Sequence, residues 1–178
     1  MQCSKATPSK VRVWDRFVRV FHWSLVALVP IAFFSHGGLR ELHRWTGYAI
    51  LLLIAARVVW GFIGGQHARF ASFVPNLASL VRYLWQLVRG KEPRTLGHNP
   101  AGAAMVIALL LNLLGIVATG LLLDTISYRD HRPTLGLHDA LSDVLLVLIT
   151  LHLLGVFYTS VRHRENLVVS MVTGRKRP

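Results

Sequence analysis

The chain has 178 residues, of which 53% are hydrophobic and only 16% charged, against roughly 25% charged in an ordinary soluble domain. Its formal net charge is +12, but the cations are gathered at a few points along the chain. That argues against a nucleic-acid surface and for a membrane protein. A single cysteine, Cys3, excludes an internal disulfide and a thiolate set for zinc or iron–sulfur ligation.

In chain order, residues 1–13 read as a basic arm, disordered or interfacial. Trp14-Asp15-Arg16-Phe17-Val18-Arg19 is amphipathic and begins a first helix at the headgroups. Residues 20–39 carry no charge, and the helix runs to about Ser35 with Pro30 inside it. No small-residue cleavage site follows this block, and it carries His22, so it is expected to span rather than to be a signal peptide. After Gly37-Gly38 a second helix runs from about Leu42 to Ile63, ended by Gly64-Gly65, with Arg57 its one internal charge. In the long connection that follows, Leu77, Leu80, Val81, Leu84, Leu87 and Val88 recur at helical spacing, so 77–88 is expected to lie on the interface as an amphipathic helix. Asn99-Pro100 is a helix start, a side-chain cap followed by proline. The third helix extends from there to about Leu122, within 29 uncharged residues (95–123). A polar loop, 124–136, leads to the last apolar segment, Leu137 to Val161. A spanning helix needs about 20 predominantly apolar residues. The fold class is therefore all-α: an integral membrane four-helix bundle over 14–161, with a basic tail over 162–178.

Charge gives the orientation. Residues 1–19, the connection 66–98 and the tail 162–178 each hold five Lys or Arg, whereas the other two connections hold two each. The positive-inside tendency then puts both termini in the cytoplasm and assigns membrane lipid, not nucleic acid, as the surroundings of the chain.

His138 and His152 lie fourteen residues apart in one apolar segment. Fourteen helical steps return to within roughly 40° of the starting face and rise about 21 Å, most of a ~30 Å hydrocarbon core. Histidine in lipid is costly and needs a partner or a role. Topology puts His43 at the depth of His138, near the outer face, and His22 at the depth of His152, near the inner one. Four histidines at two depths supply two axial pairs, His22/His152 and His43/His138, as two stacked haems b require. The plain alternative is that such histidines only bond between helices, at about 0.6 kcal/mol each. That explains any one of them better than it explains four paired by depth on three helices. Gly47 and Gly155, close to His43 and His152, would let a flat macrocycle approach the backbone, although glycine is also common in membrane helix packing.

Arg57 lies well inside the second helix. An unpaired cation there costs about 2.5 kcal/mol or more, so it either snorkels to the inner surface or forks onto a haem propionate. The five tryptophans (Trp14, Trp23, Trp45, Trp60, Trp85) mark interface belts, with Trp23 and Trp45 also beside ligand candidates. His36, His67, His98, His131 and His163 fall in loops or at helix ends. No phosphate-cradling loop, intramembrane carboxylate pair or activated nucleophile is evident.

Taken together, Val13-Trp14-Asp15 leading to Phe21-His22-Trp23, Leu42-His43-Arg44-Trp45-Thr46-Gly47-Tyr48 and Arg57-Val58-Val59-Trp60-Gly61-Phe62-Ile63-Gly64 resemble the bacterial dihaem cytochrome b561 family. So do His67-Ala68-Arg69-Phe70, Leu96-Gly97-His98-Asn99-Pro100-Ala101-Gly102-Ala103, His138 with His152, and His163-Arg164-Glu165-Asn166-Leu167. The superfamily includes the b-type subunits of nickel–iron hydrogenases. The resemblance runs from about residue 11 to 177 and implies the four histidines as axial ligands, two haems b, the bacterial inner membrane, and electron transfer between the quinone pool and a redox partner. Hydrogenase subunits usually have an additional helix, so the expectation falls on the shorter branch associated with c-type cytochromes. A haem-bearing anchor for a larger oxidoreductase is the alternative, and a haem-free histidine-relay transporter a lower one. For the quinone, His67 and Arg69 under helix 77–88 form the inner candidate site, slightly preferred; Asp124, Asp130 and His131 form the outer one.

Overall fold

A computed structural model describes residues 11–66, 68–95, 97, 99–125 and 131–177, the side chain of His131 excepted. The start of the basic arm, His67, His98 and Asp130 therefore lie outside the described residues. In order, the elements are β1 (Val11–Arg12), α1 (Arg16–Ser35), α2 (Arg40–Ile63), α3 (Phe70–Phe73), α4 (Leu77–Val88), α5 (Pro100–Thr125), α6 (His131–Arg162), α7 (Leu167–Thr173) and β2 (Arg175–Lys176). Four of them, α1, α2, α5 and α6, are long and apolar enough to cross a membrane.

The helix starts follow local chemistry. The Asp15 Oδ1 accepts the Val18 N–H at 2.8 Å, Asn76 caps α4 through the Ser79 N–H at 2.7 Å, and Asn99 caps α5 through the Gly102 N–H at 2.6 Å. Each satisfies a donor that the first turn leaves without an intrahelical partner. Helix α4 covers the residues its periodicity indicates.

Two boundaries differ from the sequence reading. Helix α5 continues to Thr125 and α6 begins at His131, well before Leu137, so most of the expected outer loop is helical. Pro133 makes that stretch look like loop, but proline in a first helical turn removes no intrahelical hydrogen bond. The tail also folds. Asn166 caps α7 by accepting the Val169 N–H at 2.9 Å, and Gly174 ends it at φ 78, a left-handed conformation that favours glycine.

The Gly174 carbonyl accepts the Val13 and Trp14 N–H groups at 2.9 and 3.2 Å. Beside it β1 pairs antiparallel with β2, Val11 opposite Lys176 and Arg12 opposite Arg175. Residues 11–13 are thus held against the tail rather than lying free. An even number of spans returns both termini to one face, and this pairing checks the span count independently of hydropathy. We call that face the terminal side and its opposite the far side.

The extensive helix packing runs α1 on α2, α2 on α5 and α5 on α6, with α4 against α5. The core is Ile50 and Ile54 of α2, Leu113 and Val117 of α5, and Leu145 of α6. Among the described residues α6 has no comparable packing against α1 or α2. Outward-facing apolar side chains such as Leu52 (72% exposed) and Phe157 (70%) would be a liability in water and are ordinary in lipid.

Candidate histidine pairs within the bundle

The far-side pair joins α2 to α6. The His43 and His138 rings lie 6.1 Å apart between centres at 70°. The His43 Nδ1 is 2.8 Å from the Ala32 carbonyl near the end of α1. A carbonyl only accepts, so Nδ1 carries the proton and Nε2 keeps a free lone pair. The His138 Nδ1 is 3.0 Å from the Thr119 Oγ1 on α5.

The terminal-side pair joins α1 to α6. The His22 and His152 rings lie 6.4 Å apart at 56°, and Trp23 stands edge-on to His22 at 5.3 Å. The His22 Nδ1 is buried and has no hydrogen-bond partner among the described residues. Both pairs reach between helices that do not pack closely, which is what a bound flat group between them requires.

These distances test whether the histidines suit haem. A metal bound between two imidazole nitrogens at about 2 Å each, with about 1 Å more from nitrogen to ring centre, sets ring centres about 6 Å apart. Both pairs meet that. Among the described residues no third His, Cys, Asp or Glu completes a metal cluster with either pair, so the donor sets are two-imidazole sets. At Gly47 and at Gly155 an added Cβ would meet nothing within 4 Å, consistent with room for a planar ring.

Arg57 lies fourteen residues after His43 on α2, a rise of about 21 Å, which puts it at the depth of His22 and His152. It does not snorkel out. It is 2% exposed, donates from Nη2 to the Ala68 carbonyl at 3.2 Å and stands over the Phe70 ring at 5.1 Å. Gly61 makes this possible, because a Cβ there would run into the Phe70 ring. The Arg57 Nη1 is buried with no hydrogen-bond partner among the described residues. Close by, the Trp60 Nε1 donates to the Asp15 Oδ2 at 3.0 Å, so the carboxylate that caps α1 also ties down the end of α2.

The terminal side is closed by ionic contacts. The Glu92 side chain, 1% exposed, accepts from the Tyr158 hydroxyl at 3.1 Å and from the Arg162 Nε at 3.2 Å. Burial alone would raise its carboxyl, but a backbone hydrogen bond, Tyr158 and Arg162 outweigh that and hold it below its ordinary value. Burial pushes the Lys176 ammonium down, with Glu165 acting the other way, and pushes the Tyr83 phenol up.

Of the quinone candidates, Arg69 donates from Nε to the Gly64 carbonyl at 2.7 Å and so closes the end of α2. On the far side Asp124 accepts the Tyr48 hydroxyl at 2.9 Å. Thr119 and the Ala32 carbonyl were not visible as site groups in the sequence. The one available signal was Thr119 itself, a hydroxyl within an apolar block and on the same helical face as Asn112, seven residues away.

Four spans with imidazoles opposed at two depths are the arrangement of a b-type membrane cytochrome. The chain belongs to the prokaryotic cytochrome b561 family, whose model matches residues 13–174, and is a multi-pass membrane cytochrome of electron transport. It is similar to probable Ni/Fe-hydrogenase B-type cytochrome subunits of Azotobacter vinelandii (26% identical, covering 92% of this chain and 87% of the relative) and Bradyrhizobium diazoefficiens (21%, covering 93% and 85%). A probable Ni/Fe-hydrogenase 1 B-type cytochrome subunit of Escherichia coli is 23% identical over 67% of this chain and 60% of the relative.

Proposed function

We propose that the protein holds two haems b, one between His22 and His152 and one between His43 and His138, and carries electrons across the bacterial inner membrane between the quinone pool and a larger oxidoreductase. The observation that carries this reading is the pair of ring separations, 6.1 and 6.4 Å, at the two depths of one four-span bundle. When bound, each haem would supply one-electron chemistry. The protein contributes two neutral imidazoles per site, an apolar surround and a span that keeps water out.

The names of the relatives support an oxidoreductase of the hydrogenase kind as the partner. A c-type cytochrome is the second reading, favoured by the four spans described here. The excess of Lys and Arg on the terminal side supports a cytoplasmic location for both termini. Arg57, at the depth of the terminal-side pair and with Nη1 unpartnered among the described residues, suits a propionate of that haem.

The test is haem stoichiometry and low-spin spectra of purified protein. His152→Ala is expected to remove one haem and leave the other spectrally intact. A double variant, His138→Ala with His152→Ala, that still binds two haems would end the reading. Reduction by quinol, followed by mixing with either partner class, distinguishes the partners.

A further inference from the structure

We infer that Thr119, on a helix that supplies no ligand, is the positioning residue of the far-side site, presenting an acceptor to the His138 Nδ1–H and so aiming the bare Nε2 at His43. Thr119 is 5% exposed. Its Oγ1 lies 2.9 Å from the Gly115 carbonyl, 2.9 Å from the Ile116 carbonyl and 3.0 Å from the His138 Nδ1. A hydroxyl has one proton, and neither carbonyl can donate. Donation of that proton to the α5 backbone, where two carbonyls stand ready to accept it, leaves the oxygen facing His138 with lone pairs only. In that arrangement Nδ1 bears the imidazole proton and Nε2 is left unprotonated. The Ala32 carbonyl does the same for His43 at 2.8 Å.

The two sites are thus built differently. In the far-side pair both imidazoles have an acceptor on Nδ1, whereas among the described residues the buried His22 Nδ1 on the terminal side has none. An acceptor on Nδ1 raises ligand basicity, which favours the more positive, oxidised metal and lowers the reduction potential of that site alone. Thr119 therefore orients the ligand and helps set the potential difference between the two haems. This inference rests on the dihaem reading above.

The test uses full-length protein with Thr119→Val, which keeps the shape and loses the hydroxyl, and Thr119→Ser, which restores it. Spectroscopic redox titration and haem titration into apo-protein are the readouts. Thr119→Val is expected to raise the potential of one haem and weaken its binding about 10–100-fold, the usual consequence of losing an outer partner of a metal ligand. The other haem should be unchanged, and Thr119→Ser should match wild type. In a His138→Ala background, Thr119→Val should change nothing further in the remaining haem. Wild-type potentials and affinities in Thr119→Val, or failure of Thr119→Ser to restore them, would overturn the inference. A wild-type protein holding fewer than two haems would overturn the dihaem reading and this inference with it.

Discussion

Replacing Arg57 by Leu tests the electrostatics of the terminal-side site. The guanidinium is 2% exposed and, by its spacing from His43, lies at the depth of His22 and His152. Helices α1 and α2 pack closely; taking the usual spacing of neighbouring axes, roughly 8–10 Å, a haem held there as proposed would have its iron on the order of 10 Å from the charge. At an effective dielectric of about 20, a unit charge at that distance contributes about 1.7 kcal/mol. For a one-electron couple, where about 59 mV corresponds to a tenfold change in equilibrium constant, that is roughly 70 mV. The sign is fixed. Reduction makes the site more negative, a nearby cation favours it, and removing the cation lowers the potential. Arg57→Leu should therefore move one haem down by tens of millivolts and leave the far-side haem in place, read by redox titration with both haems resolved. Arg57→Lys keeps the charge and should retain most of the potential. Equal potentials in wild type and Arg57→Leu would refute the placement and leave Arg57 as a packing residue held by the Ala68 carbonyl and Phe70.

Asp15→Ala should lower thermal stability by about 1–3 kcal/mol, because it removes the α1 cap and leaves the Trp60 N–H without its acceptor; Asp15→Asn, which keeps an acceptor, should recover most of that. The Glu92 carboxyl is held below its ordinary value, so its ionised form stabilises the closed terminal side at pH above that value, and the contribution is lost as pH falls through the depressed one. Hydrogen-exchange protection over 89–95 and 158–162, corrected for the intrinsic rate at each pH, should fall on acidification in wild type and depend less on pH in Glu92→Gln. For the quinone, Arg69→Ala should slow quinol reduction of the haems while both spectra stay unchanged; loss of that reaction in Asp124→Asn with retention in Arg69→Ala puts the site on the far side.

The spans, the interfacial helix and the depth pairing of the histidines were legible in the sequence because each is a one-dimensional pattern: an uncharged run, a helical period, a spacing of fourteen residues. What was not legible depends on which backbones meet. Thr119 and His138 are nineteen positions apart and become neighbours only because α5 and α6 pack against each other. The Ala32 carbonyl carries no side-chain signal at all. The clasp of Val11–Arg12 with Arg175–Lys176 was hidden for a different reason, since two short basic segments read as solvated tails until their ends are brought to one face.

The packing order accounts for how the four histidines, as the proposed ligands, are distributed. α6 leans on α5 and stands off α1 and α2, so its two histidines reach partners across a gap instead of being pressed against them. A metal held across such a gap joins helices that side-chain packing leaves apart. Removing one haem should therefore loosen the bundle at one depth, where the apolar core of Ile50, Ile54, Leu113, Val117 and Leu145 has no counterpart between α1 and α6. The terminal-side contacts of Glu92 with Tyr158 and Arg162, and the strand pairing of the termini, tie the ends of α1 and α6 into one assembly from outside. On the far side the imidazoles themselves carry hydrogen bonds to other helices, His43 to the Ala32 carbonyl of α1 and His138 to Thr119 of α5.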